Sequence, residues 1–513
     1  GTLNATGANS LGSGVLGVSG GVVNVANSQA ITATNLNGGL LNLSRSATLG
    51  SGPLNLNGGT LDNTSGSPMT LGANNLQNWN GSFTFLGSSP LNLGTGTVTL
   101  SGSPAVLVAS GSLTVSGPIG DGGDGVALVK AGTGMLTLAS SSTYGGGTTV
   151  SGGTFLLNNG ARTVNDYFAS DAISIAAGAT FAVDQTSGDA RYSNVSKTIS
   201  GAGTFTKLGA GLTWLANDGG KTISTFNLSA GGLVNVQAGT LAALETAPSN
   251  AGNLEIAAGA TVTLDNDSNQ GRDAYFDALS GGGWLQYASG TAPHTITLGT
   301  NNGGGTFSGI ISNGGLGPVS LVKTGTGMQV LAGANTYSGV TTISQGNLTV
   351  NGSLVSPVTV DASGVLGGMG YLASGTVNAG GTLAPGDPTG QLHFSDNLVL
   401  APSSELVFGL GTSSTNDMAS CGNLVLSGQQ FPDFQFTWTP NFAPGVYRLI
   451  GFGSLGGAGL GANRSGMIDG YSANLAISGN ELVLNFVPEP STLALLGVGV
   501  IIVSLTWRRS RSD

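Results

Sequence analysis

The chain has 513 residues and a formal net charge of −10, with 91 glycines and only 7% charged residues. A typical soluble domain carries about 25% charged residues and about 7% glycine, so an ordinary enzyme surface is excluded, and the lack of a Gly-X-Y period excludes collagen. A hydrophobic content of 39% excludes a disordered polymer, and 14 basic residues with no patch before the extreme C-terminus exclude a nucleic-acid footprint.

The chain opens on GTLNATG, already in repeat register and without an initiator Met or a charged-then-apolar leader, which reads as a fragment or a mature chain. Short units follow, each a turn and then a strand: GGVVNV at Gly20, GGLLNL at Gly38, GGTLDN at Gly58, and later GGLVNV at Gly231 and GGTLAPG at Gly380. Runs such as NLNGGLLNLS from Asn35 suit stacked asparagine ladders at the corners of a coil. GDGGDG, with Asp121 and Asp124, reads as a loop.

The strongest internal signal is a pair of copies, LVKAGTGMLTLASSSTYGGGTTVSGGTFLLNNG from Leu128 and LVKTGTGMQVLAGANTYSGVTTISQGNLTVNG from Leu321, which align without a gap. A degenerate third copy, KLGAGLTWLA, starts at Lys207. Lys130, Lys207 and Lys323 therefore share one repeat position, the mark of coil chemistry and not of a single active site. A second family interleaves with the first: ISIAAGATFAVD from Ile173 matches LEIAAGATVTLD from Leu254. Strands this short bury nothing alone and must stack on like neighbours, which makes a solenoid. Leu136 and Leu138, or Val262 and Leu264, then point inward, with the Thr and Ser between them facing solvent.

The repeat from Leu321 resembles the autotransporter-associated β-strand repeat of bacterial passenger domains. That resemblance implies an all-β, right-handed parallel β-helix over residues 1–400 and a surface or adhesive role. An autotransporter would also end in a translocator barrel, and no barrel-like pattern follows here.

Candidate chemistry is sparse. Asp265, Asp267 and Asn269 begin a D-x-D-x-N-x-G run like the start of a calcium loop, without the distal bidentate glutamate. The equivalent turn after Asp184 keeps only the first aspartate, so a polar turn is expected, with no metal or cofactor and no catalytic residue. His294 and His393 stand apart from any nucleophile motif and read as structural. Cys421, the single cysteine, reads as a buried small hydrophobe. Because β-helices also include polysaccharide lyases and glycosidases, a carbohydrate-active enzyme or a carbohydrate-binding surface module remains the alternative.

From about Ala401 glycine thins and aromatics gather, as in FPDFQFTWTPNFAPGVYRLIGFG from Phe431, which reads as a β cap over 401–486. The chain then ends in VPEPSTLALLGVGVIIVSLTWRRSRSD. The apolar stretch Leu493 to Trp507 predicts one short transmembrane helix of about 22 Å, under the roughly 30 Å of a bilayer core. Arg508, Arg509 and Arg511 would hold its end cytoplasmic. The ordered trio of triplet, apolar span and arginines over 487–513 resembles the PEP-CTERM sorting signal of Gram-negative bacteria that make exopolysaccharide. That resemblance makes Pro488, Glu489 and Pro490 the recognition motif of an exosortase-type membrane protease or transpeptidase. It implies export through an inner-membrane intermediate to the cell surface or matrix, with surface glycans such as exopolysaccharide as partners.

Overall fold

The computed structural model describes residues 1–44, 49–160, 168–170, 172–191, 198–215, 225–264, 273–287, 291–315, 317–386, 389–412, 415–438 and 442–487. They form β-strands throughout, and among them the one helical element is a 3-10 turn, Phe431–Asp433. The chain divides into two compact units, Gly1–Gln329 with Gly333–Gly339, and Val330–Ala332 with Val340–Asp513.

In the first unit three parallel ladders alternate along the chain. Residues 91–92, 98–100 and 105–108 lie one in each, and 112–115 returns to the first, stacked on 91–92. Stacked partners lie 18 to 29 residues apart, as Val15 and Ala33 or Thr204 and Leu233 do. Every strand is too short to stand alone, so each coil closes its apolar face only against the coils beside it. The inward phase is as expected, with Leu136, Leu138, Val262 and Leu264 all buried. Phe155, Phe181 and Phe205 sit in register on successive strands and stack, with ring centroids 5.3 and 6.0 Å apart. Each such side chain contributes roughly 1.5–3 kcal/mol by leaving water.

The outward phase departs from expectation. Thr137, Thr206 and Thr263 are buried as well as their inward neighbours. Thr137 lies in register between Thr114 and Leu156, so side chains from the two adjacent coils cover it; stacking shields an outward residue that a lone strand would leave wet.

In the second unit, strands Thr341–Ile343, Val358–Val360, Gly375–Val377 and Asn397–Leu400 stack in parallel, as do Gly346–Val350, Gly364–Gly368 and Thr382–Pro385. Parallel stacking runs on past residue 400, through Glu405–Leu410 to Phe434–Trp438 and from Met418–Gln429 to Val446–Leu460. Antiparallel pairing enters where Val446–Leu460 meets Glu481–Val487, which also pairs with Tyr471–Ser478, itself in a hairpin with Ser465–Ile468. The span expected at 493–507 lies outside the described residues; among those described, no helix is long and apolar enough to cross a membrane.

Candidate functional site

The repeat lysines have a defined job. Lys130, Lys207 and Lys323 are completely buried inside the coil. The Lys130 ammonium donates to the carbonyls of Ala131 (2.8 Å), Gly132 (2.9 Å) and Gly152 (3.0 Å). Lys207 repeats this with Leu208, Gly209 and Ala238, and Lys323 holds the carbonyls of Thr324 (2.6 Å) and Gly325 (2.9 Å). Each lysine thus ties down the turn that follows its own strand.

The glycine two positions on makes the turn possible. Gly132, Gly209 and Gly325 have φ of 79°, 70° and 65°, and a Cβ on any of them would lie 2.2 Å from a carbonyl oxygen of the preceding coil. Burial pushes Lys130 and Lys207 down to about 8 and lowers Lys323; Asp184 beside Lys207 and Asp277 beside Lys323 oppose the shift. The signal for this was in the sequence, as a lysine two residues before glycine in all three copies, but only burial reveals its use.

Asp121 closes the GDGGDG loop, its carboxylate accepting from the N–H groups of Gly123 (2.9 Å), Val126 (2.8 Å) and Gly145 (3.0 Å). Burial works to raise its pKa, but those three donors together hold it below the ordinary carboxylate value. Asp124 stays exposed on the same loop. Asp265, Asp267 and Asn269, like Pro488, Glu489, Pro490, Arg508, Arg509 and Arg511, lie outside the described residues. Among the described residues no group of three or more His, Cys, Asp or Glu side chains could hold a metal ion.

His294 is buried and stacks on Tyr287, with ring centroids 3.9 Å apart. His393 Nδ1 lies 2.5 Å from Ser420 Oγ, its register partner on the next strand. Sequence spacing could not show this pair, because its members are 27 residues apart and meet only through the coil. Cys421 is buried, and burial raises its thiol to about 11.

Outside, the first coils carry amide ladders. Asn55 bridges Asn35 and Asn78 at 2.6 Å on each side, and Asn57 bridges Asn37 and Asn80 at 2.6 and 2.7 Å. The second ladder stands at a corner as expected, whereas the first runs along the strands themselves. Further on, a groove of about 380 Å³ crosses successive coils, lined by Thr225, Glu245, Thr246, Pro248, Asp273 and Tyr275. Thr225 and Glu245 are register partners there.

Comparison with known proteins bears on the repeats and on the C-terminal stretch. Residues 128–157 and 321–350 match the model of the passenger-associated-transport-repeat, the two copies whose lysines and glycines are described above. Residues 486–511 match the PEP-CTERM protein-sorting motif. The chain is autotransporter-passenger-like and carries a PEP-CTERM sorting motif. Over 108 residues, 21% of this chain, it is 32% identical to the extracellular serine protease of Serratia marcescens, and over 173 residues, 33% of this chain, 31% identical to the adhesin BmaC autotransporter of Brucella suis biovar 1 (strain 1330). The aligned stretches span 10% and 5% of those two proteins. A passenger-like solenoid bearing this motif is the mark of an exported cell-surface protein of Gram-negative bacteria.

Proposed function

We propose that the protein is a non-catalytic structural or adhesive β-solenoid of the bacterial surface or extracellular matrix, delivered by its C-terminal sorting signal. The observation that carries this reading is the coincidence of passenger repeats, stacked in parallel coils, with a sorting motif at 486–511. In this reading residues 1–400 form the solenoid, which coils right-handed as parallel crossovers do, and 401–486 close it, their first strands still stacking in parallel. Pro488, Glu489 and Pro490 are read by an exosortase-type membrane protease or transpeptidase. The stretch 493–507 holds the precursor in the inner membrane, with Arg508, Arg509 and Arg511 on the cytoplasmic side.

The test is Glu489→Ala, followed by fractionation and blots that resolve the loss of about two dozen residues. Membrane insertion should persist, because the apolar span and arginines remain, while the processed form disappears from the surface and medium. Equal release of processed protein from wild type and variant would leave the triplet without a role.

The groove over Glu245, Asp273 and Tyr275 favours a second reading, a carbohydrate-binding surface, because carboxylates beside a tyrosine in a concave site offer both acceptors and a flat apolar face. A glycan array with wild type and Glu245→Gln checks it. Loss of a specific signal in the variant supports sugar binding, release of shortened glycan by the wild type alone would make it an enzyme, and no binding to either leaves the structural role.

A further inference from the structure

The end of the antiparallel region from which the sorting tail departs is an aromatic rim. Phe442 is the hub, with ring centroids 5.2 Å from Phe486, 5.9 Å from Tyr447, 6.4 Å from Tyr471 and 6.5 Å from Trp438. Tyr447 and Phe486 are buried, whereas Trp438 and Tyr471 are 47% and 40% exposed, so the cluster runs from the core out to solvent. Val446 and Met467 are 58% and 62% exposed, and register places them beside the same strand end: Val446 opposes Asn485, and Met467 opposes Ser472, which opposes Val487. From 438 to 447, 466 to 472 and 484 to 487 the only charged residue is Asp469.

We propose that this rim lies in the membrane interface while the tail is inserted, with Trp438 and Tyr471 among the lipid headgroups. The inference rests on the reading of 493–507 as a membrane segment. Five residues, 488–492, separate Val487 from Leu493, a reach of at most about 20 Å. An apolar stretch of about 22 Å is also several ångströms short of a bilayer core, which draws its flanks inward. The surface so placed is rich in the residues that partition to that zone, where an apolar ring body and a polar N–H or O–H both find partners. Its near absence of charge points to zwitterionic headgroups, because no basic cluster is present to be drawn to anionic lipid. Cutting at the triplet then severs the rim from the tail that held it at the membrane, so the same event that releases the protein exposes this apolar surface outside the cell.

The test uses the full chain reconstituted in phosphatidylcholine vesicles, in a Trp507→Phe background so that the tail contributes no tryptophan. Flotation reports insertion, and phosphatidylcholine brominated near the headgroup end of the acyl chain reports contact. Four tryptophans remain of the original five, so placement of Trp438 at the interface should remove on the order of a quarter of the emission. That loss should vanish in Trp438→Phe, with circular dichroism unchanged. Flotation with equal quenching in both proteins overturns the rim while leaving the anchor intact. Failure to float overturns the anchor reading, and the rim with it. A Trp438 already shielded from acrylamide before lipid is added assigns the surface to the tail folding back, and overturns the proposal.

Discussion

Gly132→Ala isolates what the repeat turn requires. The substitution has two costs. Holding alanine at φ 79° costs about 1–2 kcal/mol. The new Cβ would also meet the Val108 carbonyl oxygen at 2.2 Å, and that oxygen accepts a 2.9 Å hydrogen bond from Gly134 N–H. Relief needs a shift of about 1 Å between two coils, at the expense of at least one buried hydrogen bond worth about 1–3 kcal/mol when left unmade. The total is about 2–5 kcal/mol. Gly122→Ala supplies the control: its φ is 72°, but nothing lies within 4 Å of the added Cβ, so only the conformational cost of about 1–2 kcal/mol applies. A solenoid opens coil by coil, so the assay is amide hydrogen exchange of the strands Ala105–Val108, Leu128–Ala131 and Thr148–Val150, not a single melting point. Gly132→Ala should reduce protection there by about 30-fold or more, since about 1.4 kcal/mol is tenfold. Equal loss of protection in both variants would refute the role given to the close approach.

Three other outcomes follow from buried groups. Leu138→Asp or Leu331→Asp places an unpaired charge inside the coil and should melt that coil locally, read as exchange or proteolysis; unchanged protection in both would mean the inward phase is misassigned. Lys130 and Lys207 sit at about 8 in the folded chain against about 10.4 unfolded, so between pH 8 and 10.5 the unfolded state holds the proton that the native state has lost, and stability rises with pH across that window. The ceiling is about 3 kcal/mol per lysine, less whatever the carbonyl acceptors withhold; protection that is flat or falling from pH 8 to 10 contradicts it, and Lys130→Met should remove the dependence at its own coil. Cys421, raised to about 11, should resist a disulfide reagent at pH 8 until the chain is denatured; rapid labelling of the native protein would place the thiol at the surface.

Much of this protein is written in local pattern. Recurring turn-and-strand units, and copies at Leu128 and Leu321 that align without a gap, determine a parallel solenoid, because a strand with one apolar face has no stable partner other than its own repeat. The same period-2 alternation placed Leu136, Leu138, Val262 and Leu264 inside, and the ordered trio at the chain end marked the sorting motif. What the pattern could not contain is anything set by contact between coils. Whether Thr137 faces water depends on Thr114 and Leu156 beside it, and whether Lys130 is a surface cation or a buried tie depends on the carbonyl of Gly152, 22 residues on. The meeting of His393 with Ser420, the groove at Glu245 and Asp273, and the gathering of Trp438, Phe442 and Tyr471 round the exit of the tail arise in the same way. Each joins residues from different strands whose register is fixed only when the coils stack, so tertiary structure alone decides them.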